Sequence, residues 1–279
     1  MTHVNHPIAN GMFMVYHWQH LTAPQLHALS PRDPVAVITL GAIEQHGTHL
    51  PLGTDLIIGE GLQAAMLERL DAQDARVDVV CLPAMAVGAS DEHASFPGTL
   101  SLPAPLAIAT LEAYGESIAR AGIRKLVLIN SHGGNKAVMD LAALTLRRRC
   151  HMRVVKATYT RLPPLEGAMN ADELRYGLHG GLLETAMMQH LAPQLVTLDG
   201  YSPTAPATPA TGALVSPEGS AAFAWLGEDL SEHGVAGDAS HANAALGKRL
   251  VDHYAMQLAQ VVTETAQLPP LEVPAAGRR

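Results

Sequence analysis

The stretch Val35-Ala-Val-Ile-Thr-Leu40-Gly-Ala-Ile-Glu44-Gln-His46-Gly-Thr-His49-Leu-Pro-Leu-Gly-Thr-Asp55 reads as three pieces in succession. Val35 to Leu40 is an unbroken apolar, β-branched run of strand length, the pattern of a strand covered on both faces. Gly41 to Gly53 is a loop punctuated by glycine and proline that carries Glu44, Gln45, His46 and His49. From Leu56 to Leu70 the apolar residues recur at helical spacing, so the loop presents its polar side chains between the end of a buried strand and the start of a helix. That is where open α/β sheets keep their chemistry.

The same alternation continues along the chain. Short β-branched runs at Val77 to Leu82, Lys125 to Asn130 and Arg153 to Tyr159 read as further buried strands. The segments Pro103 to Ala121, Lys136 to Arg148, Gly181 to Leu191 and His241 to Ala266 have helical length and spacing. The expectation is an α/β fold of three layers, with a mostly parallel sheet between helices. It is read as a single domain over 1–279 with its core at about 34–266. Tyr201 to Ser220, rich in Pro, Ala, Thr and Gly, reads as a long irregular loop, a lid or a surface excursion, with Trp225 beyond it as a pocket-closing candidate. Leu268 to Arg279, with three prolines, reads as an extended tail.

Composition narrows the class. Eighteen basic against 26 acidic residues give a net charge of -8, which opposes the basic footprint that nucleic-acid binding needs. The one basic run, Arg147-Arg148-Arg149, falls at a helix end, where cations suit the dipole. Charged residues make up 16% of the chain against a usual value of roughly 25%, which points to surface hidden against copies of itself, hence a homo-oligomer. Two cysteines do not make a disulfide framework, and no stretch reaches the length of a membrane span. The first residues do not read as an export signal, so the cytoplasm is the expected address.

Carboxylate oxygen and imidazole nitrogen suit borderline divalent cations, and a pair of cations needs a carboxylate that touches both. Glu44 and His46, two apart at a strand end, project to one side far enough apart to serve two adjacent ions, with Asp55 as the natural bridge. His132 follows the strand ending at Asn130, in Asn130-Ser-His-Gly-Gly-Asn135. His179-Gly-Gly-Leu-Leu-Glu184 places a second imidazole and a carboxylate across the start of a helix. The Gly-Gly-Asn turn is too short for a phosphate loop and lacks its lysine, so nucleotide binding is not expected.

These motifs, with His93 ahead of Phe96-Pro-Gly-Thr99 and with Gly234-Val-Ala-Gly-Asp238, occur in an order that resembles the creatininase family of creatinine amidohydrolase-like metal hydrolases. The resemblance runs from about Ala36 to Leu250. It implies a three-layer α/β/α fold, assembly as a hexamer, and a binuclear site for Zn, with Mn or Fe as alternatives. It further implies Glu44, Asp55 and His132 around one metal, and His46, Asp55 and Glu184 around the other. The family's creatinine-opening member carries a carboxylate where this chain has Gly134 and a tyrosine where it has Gly133, so creatinine itself is not the expected substrate.

The implied reaction is hydrolysis of a C–N bond, of cyclic amide or lactam type, in a small metabolite, with a hydroxide shared by the two cations as nucleophile. His179 would carry the proton to the leaving nitrogen, Glu184 would share the catalytic work, and Ser90 and His93 would line the substrate side. A ring-opening hydrolase of a cyclic ketone or a deformylase would use the same metals. A non-catalytic binding scaffold is the reading of another class.

Overall fold

The computed structural model describes residues 13–73, 75–198, 201, 214–269 and 271. In chain order the elements are β1 (Met14–His17), α1 (Ala23–Leu29), β2 (Val35–Leu40), α2 (Thr54–Ala72), β3 (Asp78–Cys81), α3 (Ala104–Arg120), β4 (Lys125–Asn130), α4 (Asn135–Cys150), β5 (Arg153–Thr158), α5 (Ala171–Tyr176), α6 (Leu182–Leu191), a ribbon of β6 (Val215–Ser216) and β7 (Ala221–Ala222), α7 (Gly227–Leu230) and α8 (Ala244–Gln267).

Strands β1 to β5 form one sheet in the order β1-β3-β2-β4-β5, and every pairing is parallel. The continuous apolar runs have the expected cause. Along β2, Val35 and Val37 face a core shared with Ile58, Leu62 and Met66 of α2 and with residues of α6 and α8. Ala36, Ile38 and Leu40 face the opposite core, built with Leu111 and Ile118 of α3 and Val138 and Leu146 of α4. Along β2 and β4 neither side of the sheet meets water, so both phases of the alternation must be apolar. Each Val, Leu or Ile among them contributes about 1.5–3 kcal/mol by its burial.

The four expected strands and five expected helices are present, with ends shifted by a few residues. The pattern reading missed β1, an edge strand of partly buried residues on β3, the short helices α1, α5 and α7, and the two-residue strands β6 and β7. The loop expected at Tyr201 to Ser220 and the tail from Leu268 lie largely outside the described residues. Among the described residues, no helix is long and apolar enough to cross a membrane.

One topological feature positions the site. β2 runs into α2 on one face of the sheet, whereas its neighbour β4 runs into α4 on the other. The loops leaving these two strands therefore part, and a crevice opens at their carboxyl ends.

Candidate metal centre

Glu44 and His46 leave β2, His132 leaves β4, and Asp55 is the second residue of α2, whose first turn points its carboxylate back into the crevice. Glu184 comes from the first turn of α6. All five side chains converge. His132 Nδ1 lies 3.3 Å from Glu44 Oε1 and 3.1 Å from Asp55 Oδ2. His46 Nε2 lies 3.5 Å from Asp55 Oδ1 and 3.9 Å from Glu184 Oε2. Asp55 thus turns one oxygen to each of two donor sets, Glu44/Asp55/His132 and His46/Asp55/Glu184, and within each set one donor atom per residue lies within 4.8 Å of the others.

Hydrogen bonds fix which imidazole atom faces the carboxylates. His46 Nδ1–H donates to the Glu44 carbonyl (3.0 Å), and His132 Nε2–H donates to the Ala89 carbonyl (2.8 Å). Each ring therefore turns its other nitrogen inward, the arrangement that orients metal-binding histidines. Glu44 Oε2, His46 Nε2 and Asp55 Oδ2 are buried and have no hydrogen-bond partner. Buried polar atoms left without partners are costly, and several of them converging in one crevice fit a cation pair.

The electrostatics agree. Burial opposes charge on His46, yet the Asp55 carboxylate overrides it and lifts its pKa to about 10. Burial likewise opposes the His132 cation, and Glu44 and Asp55 hold it well above the ordinary histidine range. Burial pushes Glu184 up to about 7, against the pull of His46. In the metal-free protein, protons stand where cations would.

His179 and His93 lie beside this centre. His179 Nε2–H donates to the Gln45 carbonyl (2.6 Å), which leaves Nδ1 facing Glu44 Oε1 at 3.7 Å. Burial, with His46 and His93 nearby, holds His179 far below the usual histidine value and so neutral. His93 stacks on it with centroids 4.0 Å apart. Its Nδ1 accepts from Gln45 Nε2 (2.8 Å), and burial lowers its pKa to about 4. His93, His179 and Trp225 line a cavity of about 680 Å³ that reaches down to Glu44, Asp55, His132 and Glu184. Ser90 is placed differently from the sequence expectation. It is fully buried, outside the cavity lining, with its Oγ 3.3 Å from His132 Nε2. It packs behind the imidazole because the backbone of Ala89 comes in to accept from that ring.

Gly134, the departure noted in the sequence, has a steric cause. A Cβ there would stand 2.1 Å from the Ala89 carbonyl oxygen and 2.7 Å from Glu92 Oε1. No carboxylate can leave the backbone at this point, and the Glu92 carboxylate fills the space instead. Gly133 is the opposite case, with no heavy atom within 4 Å of a Cβ, so the tyrosine of the creatinine-opening member is replaced by open cavity.

Three residues near the site escaped the sequence reading. Gln45 was in view inside the motif, but its role in joining His93 to the Gly234 carbonyl depends on partners remote in sequence. Glu92 was visible only as the neighbour of His93. Glu173 of α5 accepts from Leu182 N (2.8 Å) and Asp238 N (3.0 Å), capping α6, and nothing in the sequence marked it.

Against this geometry stand the known proteins. Residues 19–262 match the family model described as creatinine amidohydrolase. The chain is 34% identical to the mycofactocin precursor peptide peptidase of Mycolicibacterium smegmatis, over 82% of this chain and 83% of that one. It is 31% identical to the creatinine amidohydrolase of Pseudomonas putida, over 63% of this chain and 71% of that one. A solved creatininase variant of Zn-Zn type shares the fold, with a TM-score of 0.73 at 24% identity over 91% of this chain and 98% of that one.

Proposed function

The chain belongs to the creatininase family of hydrolases, and from that premise we propose that it is a metal-dependent amidohydrolase whose donor sets around Asp55 would hold two divalent cations. The observation that carries the proposal is the split carboxylate of Asp55, one oxygen toward His132 and Glu44, the other toward His46 and Glu184. Glu44, Asp55 and His132 would hold one ion, and His46, Asp55 and Glu184 the other. Zn is favoured, because tightly packed N and O donors suit it; Mn and Fe accept the same donors. Bound there, the pair supplies a Lewis acid for the amide oxygen and a water of lowered pKa.

The chain's own groups then move the proton. His179 has its Nε2–H committed to Gln45, so Nδ1 is the atom that exchanges a proton. Being neutral, it takes the proton that the attacking water gives up and passes it to the departing nitrogen as the C–N bond breaks and the new C–O bond forms. Glu184, held by the Gly180 N–H at 2.6 Å, shares this work from the far side of Asp55. His93, stacked on His179, keeps that ring flat against the cavity wall.

The expected substrate was a cyclic amide or lactam. The cavity of about 680 Å³ leaves far more room than a single small ring fills, and Gly133 opens its wall further. With peptidase relatives at 34% identity, this favours a linear, peptide-like amide. The 31% identity to a creatinine amidohydrolase supports the cyclic amide as the second reading.

Replacing His132 or Glu44 by Ala removes metal and activity together, whereas His179→Ala keeps the metal and loses about 100-fold or more in kcat. Elemental analysis beside single-turnover rates on lactams, formamides, cyclic ketones and short peptides makes the check. Full turnover in the His179 variant, or no bound metal in the wild type, ends the assignment.

A further inference from the structure

The cavity that ends at the acidic centre is basic farther out. Lys136 in the first turn of α4, Arg161 just past β5 and Arg175 on α5 all line it. They reach it from three different elements, in a chain whose net charge is -8. Lys136 is occupied by Glu218, at 2.8 Å. Among the described residues, Arg161 and Arg175 have no carboxylate partner, and Arg175 rests over the Tyr176 ring at 5.2 Å from its centroid. Both are exposed and line the outer part of the same cavity without a carboxylate partner, so an anion that met both would gain from each charge.

The centre does not supply that anion. Two divalent cations would offset the inner carboxylates Glu44, Asp55, Glu184 and Glu92, so the loaded centre offers Arg161 and Arg175 no excess of negative charge. The planar fork of arginine matches a carboxylate with two parallel N–H···O bonds. We infer that Arg161 and Arg175 are specificity residues that bind a carboxylate of the substrate, borne by the same molecule whose amide bond lies at the metals, as in a peptide-like acid. This rests on the proposed metal centre, because the amide must be anchored there while its acid reaches the rim. The charge of the two arginines also steers an anionic substrate in from solution.

The test uses the full-length, metal-loaded protein and measures binding by calorimetry. The probes are alkyl hydroxamates, which chelate the metals, in a series of chain lengths, each carrying either a terminal carboxylate or a neutral methyl end. At a matching length the acid-tailed probe binds about 10-fold or more tightly than its neutral twin, as charge-assisted hydrogen bonds require. In the Arg161→Gln/Arg175→Gln variant that preference falls to near one, while the neutral probe keeps its affinity. Equal affinities for the two tails at every length in the wild type, or a preference that survives in the variant, overturns the inference and leaves the metal centre standing. If no hydroxamate binds at all, the metal centre fails and this inference with it. A loss of affinity for the neutral probe in the variant would show that the arginines maintain the cavity's shape, which also overturns their assignment.

Discussion

His46 shows how one ion pair connects the site to stability. Its pKa in the folded, metal-free protein is raised to about 10, above the ordinary 6.5, by Asp55 acting against burial. A group raised in this way stabilises fully below its unfolded value and loses that contribution as the pH climbs through the folded one. The metal-stripped protein is therefore expected to lose on the order of a few kcal/mol between about pH 6.5 and pH 10, and His46→Ala to lose distinctly less. Urea unfolding at the two ends of that range decides it, and parallel profiles for the two proteins would remove the pair from the account. The adjacent glycines give a second contrast at this scale. Gly134→Ala drives a Cβ to 2.1 Å from the Ala89 carbonyl oxygen and should cost about 2 kcal/mol together with metal affinity. Gly133→Ala meets no atom within 4 Å and should stay within about 0.5 kcal/mol of wild type. The two look alike in sequence, and only their surroundings separate them.

At the scale of elements, the position of Glu184 depends on how α6 packs on α8. A Cβ on Gly247 of α8 would stand 1.8 Å from the carbonyl oxygen of Ala186, two residues beyond Glu184. Gly247→Ala is thus expected to push α6 away, cost about 2–3 kcal/mol and weaken metal retention without touching a ligand. Thermal unfolding with metal analysis of the purified variant tests this, and unchanged metal content would show that the helix pair does not set the ligand. The strands and long helices were legible because their periodicity extends over many residues. β1 was not, since its four residues lie partly exposed at a sheet edge and carry no alternation. α5 was too short for a period, although its Glu173 caps the helix that bears Glu184.

For the whole molecule, the proposed ligands, drawn from the loops that leave β2 and β4 and from α2 and α6, would make the metals a clasp between distant parts of the chain. Each ion that binds only the folded state, at about 100 times its Kd, adds roughly 2.7 kcal/mol. That corresponds to a rise in Tm of about 5–10 °C for each ion loaded, with none in His132→Ala. The outer helices α3 and α4 leave Leu106, Tyr114, Leu141 and Leu144 exposed, which accords with the proposal that the protein self-associates. Sedimentation should give a species heavier than the 29.5 kDa chain, a hexamer by the family resemblance. The sequence alone determined the layered α/β architecture and the sheet edge where the polar motifs gather, because burial on both faces of a strand and one face of a helix writes a period into the residues themselves. Only the tertiary structure decided that Asp55 stands between two donor sets, that Ser90 backs His132, and that Arg161 and Arg175 line the same cavity as Glu44, Asp55, His132 and Glu184. Distances between side chains far apart in sequence follow from strand order and helix packing, which no local pattern encodes.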